Sequence, residues 1–199
     1  YEMLRRLVGS EMCIRDRCIS LANQKDARNF QVRSSAIDAP FSDQKDKNSH
    51  NLVRNRLAAA AAANFSAAGR GGIINLGSLV ALAPEMFNAV YSAAKAYVLS
   101  LTQTLAGELR GSGVQLQAVM PGVTRTEIWE RSGTDASALS PSMIMEVGEM
   151  VDAALAGFDQ GELVTIPSLP NAADWDAFVA ARAALGPNPV SYTHLTLPT

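Results

Sequence analysis

Apolar spacing along the chain changes near residue 57. Residues 18–56 are polar and charged, with Asp26, Arg28, Arg33, Asp38, Asp43, Lys45, Asp46 and Lys47, and hold neither a period of two nor one of 3.6. A loop or disordered segment is expected there. Residues 57–68 predict a helix, since positions 58–63 are all alanine, the residue of highest helix propensity. Gly69, Gly71 and Gly72 end it, and the apolar run 73–78 behind them suits a buried parallel strand. Asn88 is placed to cap a long helix over 89–110, closed by Gly111 and Gly113. Val90, Ala93, Ala94, Tyr97, Val98, Leu101, Leu105 and Leu109 spread around that helix and predict burial on more than one side.

A second strand is expected at 114–120, where Val114, Leu116, Ala118 and Met120 alternate with Gln115 and Gln117 before Pro121-Gly122 breaks the run. Helix 141–158, strand 163–166 and a last helix from Asn171 or Asp174 to Leu185 complete the pattern. Helices alternating with strands imply right-handed crossovers and a parallel sheet covered on both faces, an α/β fold. The two ends, 1–17 and 190–199, look like translated sequencing-adapter read-through and are expected to be non-native tails.

Composition narrows the function only a little. The 199 residues carry 17 basic and 19 acidic side chains, a net charge of −2, so no strong field favours nucleic acid or an anionic membrane. No apolar run reaches the roughly 18 residues of a membrane span. The start shows no uninterrupted apolar stretch of the signal-peptide kind. A cytoplasmic protein is the expectation. Cys13 and Cys18 have no second pair and no nearby His, so no metal site is expected.

The candidate chemistry lies on the long helix. Tyr91 and Lys95 are four residues apart, so their side chains share one face. A phenol is a poor base at neutral pH, and a fixed ammonium beside it favours the phenolate. Tyr91 also lies in the helix's first turn, at the positive end of the dipole. Ser78 closes the preceding strand, and the carboxyl ends of parallel strands are where open α/β sheets place ligands. A serine hydrolase is a weak alternative, because Gly77-Ser78 lacks the G-x-S-x-G frame and His50 and His194 lie outside the ordered pattern.

The segments Gly72-Ile-Ile-Asn-Leu-Gly-Ser78, Val90-Tyr-Ser-Ala-Ala-Lys-Ala96 and Val119-Met-Pro-Gly-Val-Thr-Arg-Thr126 together resemble the short-chain dehydrogenase/reductase family over residues 57–189. That resemblance implies a partial Rossmann-type, doubly wound sheet and an NAD(P)-dependent interconversion of an alcohol and a carbonyl by hydride transfer. It implies that Tyr91 is the general acid/base, that Lys95 binds the nicotinamide ribose and tunes Tyr91, and that Ser78 steadies the substrate oxygen. Pro121, Gly122, Val123, Thr124 and Thr126 would line the nicotinamide pocket. Asn75 is similar to a structural strand-end Asn. Phe87 and Trp129 flank the expected substrate region, with core packing the preferred role for each. The resemblance does not separate NAD from NADP or identify the small-molecule substrate, and it implies a homodimeric or homotetrameric parent.

The family's N-terminal half has no counterpart here. Its Gly-rich turn lets a helix N-terminus approach the cofactor pyrophosphate, yet Gly9 is the only glycine before Gly69. The Asn expected before the Ala-rich helix has no clean match, although His50 and Asn51 lie near its place. The chain is therefore expected to be truncated and inactive alone. A non-catalytic dimerisation module built on helices 57–68 and 89–110 is the alternative.

Overall fold

The structure, a computed structural model, describes residues 18–21, 47–126 and 140–186. The expected tails 1–17 and 190–199, and Trp129, fall outside them. Among the described residues four strands, β1 (Cys18–Leu21), β2 (Gly71–Leu76), β3 (Val114–Val119) and β4 (Val164–Thr165), form one sheet in the order β1-β2-β3-β4. Four helices accompany them: α1 (Lys47–Ala68), α2 (Ala89–Glu108), α3 (Val147–Asp159) and α4 (Ala172–Ala184). β2, β3 and β4 run parallel, as the alternation requires, with Ile73 beside Leu116 and Ala118 beside Val164.

The loop expected over 18–56 is corrected at both of its described ends. β1 is a strand and pairs antiparallel with β2, Ile19 facing Ile74. α1 begins at Lys47, eleven residues before the alanine run. Asn48, Ser49, His50, Asn51 and Asn55 are weak helix formers, so propensity alone gives no sign of this extension. Helix 141–158 also begins differently. A 3-10 turn at Pro141–Met143 comes first, and α3 then starts behind Glu146, whose backbone N–H donates to Glu149 Oε2 at 3.1 Å.

Because successive strand side chains point to opposite faces, Ile73 and Ile74 serve two cores. Ile73 and Leu116 pack with Ala61, Ala62 and Phe65 of α1, and Leu105 of α2 lies against them. Ile74 and Val119 pack with Met150, Val151, Ala154 and Leu155 of α3. The sheet is thus covered on both faces, which explains why the polar alternate Gln117 is fully buried. Its amide donates to Ala154 O at 2.8 Å and to Thr165 Oγ1 at 2.7 Å, and Thr165 donates on to Glu162 Oε2 at 2.6 Å. On the other face buried Asn75 donates to Thr102 Oγ1 of α2 at 3.0 Å, in keeping with a structural role.

α2 packs against β2 and β3, and Ala94, Tyr97, Leu101, Leu105 and Leu109 are half-buried. Its buried positions, Ser92, Lys95, Val98, Leu99 and Thr102, lie on one stripe, and Val90 is exposed. Contacts divide the chain into two units, 1–168 and 169–199. In the second, Asn171 caps α4 by accepting from Ala173 N, and Trp175 stacks on Phe178 at 5.4 Å between ring centroids.

Candidate active site

The site is built at the carboxyl ends of β2 and β3. β2 runs straight into Gly77 and Ser78, and Gly77 N donates to Val119 O at 2.7 Å, extending the strand pairing past its formal end. Ser78 has extended backbone and caps a 3-10 turn, Leu79–Ala81, its Oγ accepting from Val80 N at 3.4 Å. Leu79 N donates to Pro121 O at 2.9 Å. The segment bearing Ser78 is thereby tied to the Pro121-Gly122 break after β3.

Tyr91 is fixed from below by the cap of α2. Asn88 Oδ1 accepts from Tyr91 N at 2.9 Å, the role expected of Asn88. One turn on, Lys95 is only 4% exposed. Its Nζ lies 5.4 Å from the Tyr91 ring centroid, close enough for a cation–π contact, and donates to Leu76 O at 3.4 Å. Burying an ammonium is costly unless polar groups surround it, and here a strand-end carbonyl and an aromatic face are among its neighbours. Tyr91 and Lys95 are therefore brought together, and the Leu76 contact sets Lys95 against the strand end that carries Ser78.

The residues expected around the nicotinamide follow β3. Pro121 is buried, Gly122 and Val123 are half-buried, and buried Thr124 donates to Gly122 O at 3.4 Å. Thr124 also bridges to Met145, whose N donates to Val123 O and whose O accepts from Arg125 N, both at 2.9 Å. Arg125 adds an exposed ion pair, Nε to Glu146 Oε1 at 2.7 Å. Thr126 Oγ1 is buried without a hydrogen-bond partner among the described residues. An orphaned buried hydroxyl in the segment that follows β3 is what a polar cofactor group would satisfy, so this end of the site fits a nicotinamide. No described residues form the Gly-rich strand-to-helix turn that a dinucleotide's phosphates need. Among the described residues no cluster of ligands could hold a metal ion, and no helix is long and apolar enough to cross a membrane.

Three residues here were not marked for these roles by the sequence. Met120 is fully buried, and its Sδ would lie 2.4 Å from a Cβ added at Gly77, so only glycine fits there without displacing it. Phe87 was expected in the core, but its ring is 57% exposed and meets Tyr91 edge-on, 5.1 Å between centroids at 61°. It follows a 3-10 turn, Pro84–Met86, in which Pro84 and Glu85 are exposed, which is why core packing fails. Asn51 lies inside α1 rather than before it, and its Oδ1 accepts from buried Arg54 at 3.0 Å. No clean match could be read at this position because the start of α1 was hidden.

Residues 46–137 match the short chain dehydrogenase family model. A short-chain dehydrogenase from Sphingobium yanoikuyae, solved with NADPH, is 50% identical with a TM-score of 0.65, over 72% of this chain and 56% of that one. The bulky-bulky ketone specific alcohol dehydrogenase from Comamonas testosteroni is 44% identical with a TM-score of 0.61, over 73% of this chain and 54% of that one. The NADPH-dependent 1-acyldihydroxyacetone phosphate reductase of Schizosaccharomyces pombe is 41% identical over 73 residues, 36% of this chain and 25% of the relative. The chain thus spans about half the length of these solved relatives and a quarter of the curated one. Parallel strands ending at Ser78 and Pro121 and a Tyr-Lys pair on the next helix accompany these likenesses: over residues 46–137 the chain is similar to the short chain dehydrogenase family.

Proposed function

We propose that these residues are the catalytic half of an NAD(P)-dependent oxidoreductase that interconverts a small-molecule alcohol and carbonyl. The observation that carries this reading is Lys95. It is buried, lies over the Tyr91 ring, and is tied to the strand end that leads to Ser78. An ammonium is rarely placed so without a task for its charge.

In the reductive direction Ser78 Oγ donates a hydrogen bond to the carbonyl oxygen of the substrate. Tyr91 gives its phenolic proton to that oxygen as the carbon–oxygen π bond breaks. The Lys95 ammonium stabilises the phenolate left behind, and water restores the proton. The hydride exchanged at the carbonyl carbon would come from a nicotinamide, when one is bound, and would return to it in the reverse reaction. Lys95 would hold the ribose hydroxyls, and Pro121, Gly122, Val123, Thr124 and Thr126 would surround the nicotinamide. Supporting this, the S. yanoikuyae relative is solved with NADPH; either NAD or NADP meets the chemical requirement.

The phosphate-binding part of the site is assigned to residues outside this chain. The 199-residue chain alone is expected to bind neither NADH nor NADPH tightly and to show no measurable turnover. A fluorescence titration checks this, and tight binding of either nucleotide contradicts it. Assembly of the whole enzyme as a homodimer or homotetramer and a cytoplasmic location belong to the same proposal. The catalytic assignment is tested in the polypeptide encoded by the extended reading frame. Tyr91→Phe should lower kcat about 10²–10⁴-fold, the usual span for a general acid/base, with the far-ultraviolet spectrum unchanged.

A further inference from the structure

Two large apolar side chains flank Tyr91 and stand in water: Phe87 at 57% and Val90 at 55% exposure. Single exposed apolar residues are ordinary on a protein surface. Phe87 meets the Tyr91 ring edge-on at 5.1 Å, and Val90 precedes Tyr91 in the first turn of α2. Phe87 is also held in place. Its N–H donates to Pro84 O at 3.4 Å, and the same carbonyl accepts from Ser92 Oγ of α2 at 3.2 Å. The 3-10 turn before Phe87 is thus pinned to the helix that carries Tyr91. The twelve residues between Ser78 and Tyr91 include one ionisable side chain, Glu85, and no cation. Within residues 79–90 a phosphate, carboxylate or coenzyme A group would find no positive partner.

We propose that Phe87, flanked by Val90, is a specificity-determining residue, and that the substrate is a neutral ketone or secondary alcohol bearing an aromatic or comparably bulky apolar substituent. The inference rests on the reading of Tyr91 as the proton donor. With the substrate oxygen at the phenol, the substituent lies along the exposed ring of Phe87 and removes it from water. The ring's edge contact with Tyr91 at the same time restricts the phenol's tilt, so one residue serves both orientation and selection.

The test compares propiophenone with butanone, which replaces the phenyl group by methyl, in the product of the extended reading frame with NADPH and with NADH. The wild type should favour propiophenone in kcat/KM. Phe87→Ala should reduce the propiophenone-to-butanone ratio about tenfold to a hundredfold, the range that separates hydrophobic substituents in a shaped pocket. Phe87→Leu, which keeps apolar bulk, should restore most of that ratio. A wild type that prefers butanone, or an unchanged ratio in Phe87→Ala, overturns the assignment of Phe87 while leaving the dehydrogenase reading in place. Equal losses with both ketones also overturn it, since they mark a structural role. No turnover of either ketone with either nucleotide overturns both readings together.

Discussion

Lys95 and Arg54 are both cations buried within this chain, and their legibility differs for a physical reason. Lys95 is readable because chemistry fixes its distance from Tyr91 and the helix converts that distance into four residues. Arg54 has no such partner pattern. In sequence it belongs to a polar stretch, yet it is 1% exposed. Burial pushes its guanidinium down from its ordinary range to about 10, with Tyr97 acting in the opposite direction. The sign of the linkage follows. Above pH ~10, up to the ordinary guanidinium range, the unfolded chain holds a proton that the folded chain has released, so this group's contribution to stability rises with pH there. Below pH ~10 the burial cost is present in full. Arg54→Met is therefore expected to stabilise the fold at pH 7 by about 1–3 kcal/mol, the scale of replacing buried charge with apolar volume. Urea unfolding of the two proteins at several pH values checks this, and the advantage of the variant should narrow above pH ~10. A variant less stable at pH 7 would show that the guanidinium's partners outweigh its burial.

At the scale of elements, what the sequence displayed was capping and alternation, and what it hid was extension. Asn88 could be read as the cap of α2 because a short polar acceptor stands directly before an apolar helix, and it accepts from Tyr91 N. Asn88→Ala is expected to cost about 1 kcal/mol and to speed hydrogen exchange at the Tyr91 amide more than at Val98. An unchanged Tyr91 exchange rate would remove the cap from the account. The turn between α2 and β3 gives a paired prediction. Gly111 and Gly113 both have positive φ, but a Cβ at Gly111 meets open space whereas one at Gly113 would lie 2.1 Å from the Gly69 carbonyl oxygen. Gly111→Ala should cost about 1 kcal/mol from its left-handed backbone alone. Gly113→Ala should cost clearly more, because the obstacle is backbone. Thermal unfolding of the two variants compares them directly. The start of α1 stayed hidden because residues 47–56 carry no apolar stripe and few strong helix formers. The direction of β1 stayed hidden because pairing is set by tertiary contact, and alternation says nothing of a strand's orientation.

At the scale of the molecule, the parallel order β2-β3-β4 with helices on both faces was legible because each strand is followed by a helix long enough to cross back. That topology sets the ends of β2 and β3 side by side and so brings Ser78 close to Pro121, though 43 residues separate them in sequence. Neither the placement of Phe87 outside the core nor the division of contacts after residue 168 can be read from a local pattern, since both depend on which surfaces the rest of the fold covers. The central claim is that Tyr91 carries the proton in a nicotinamide-dependent reduction. Its most direct test is ketone-dependent oxidation of NADPH or NADH by the product of the extended reading frame, wild type against Tyr91→Phe, with both proteins folded. The account predicts turnover in the wild type and a loss of about 10²–10⁴-fold in the variant; a Tyr91→Phe protein that keeps most of its kcat would contradict it.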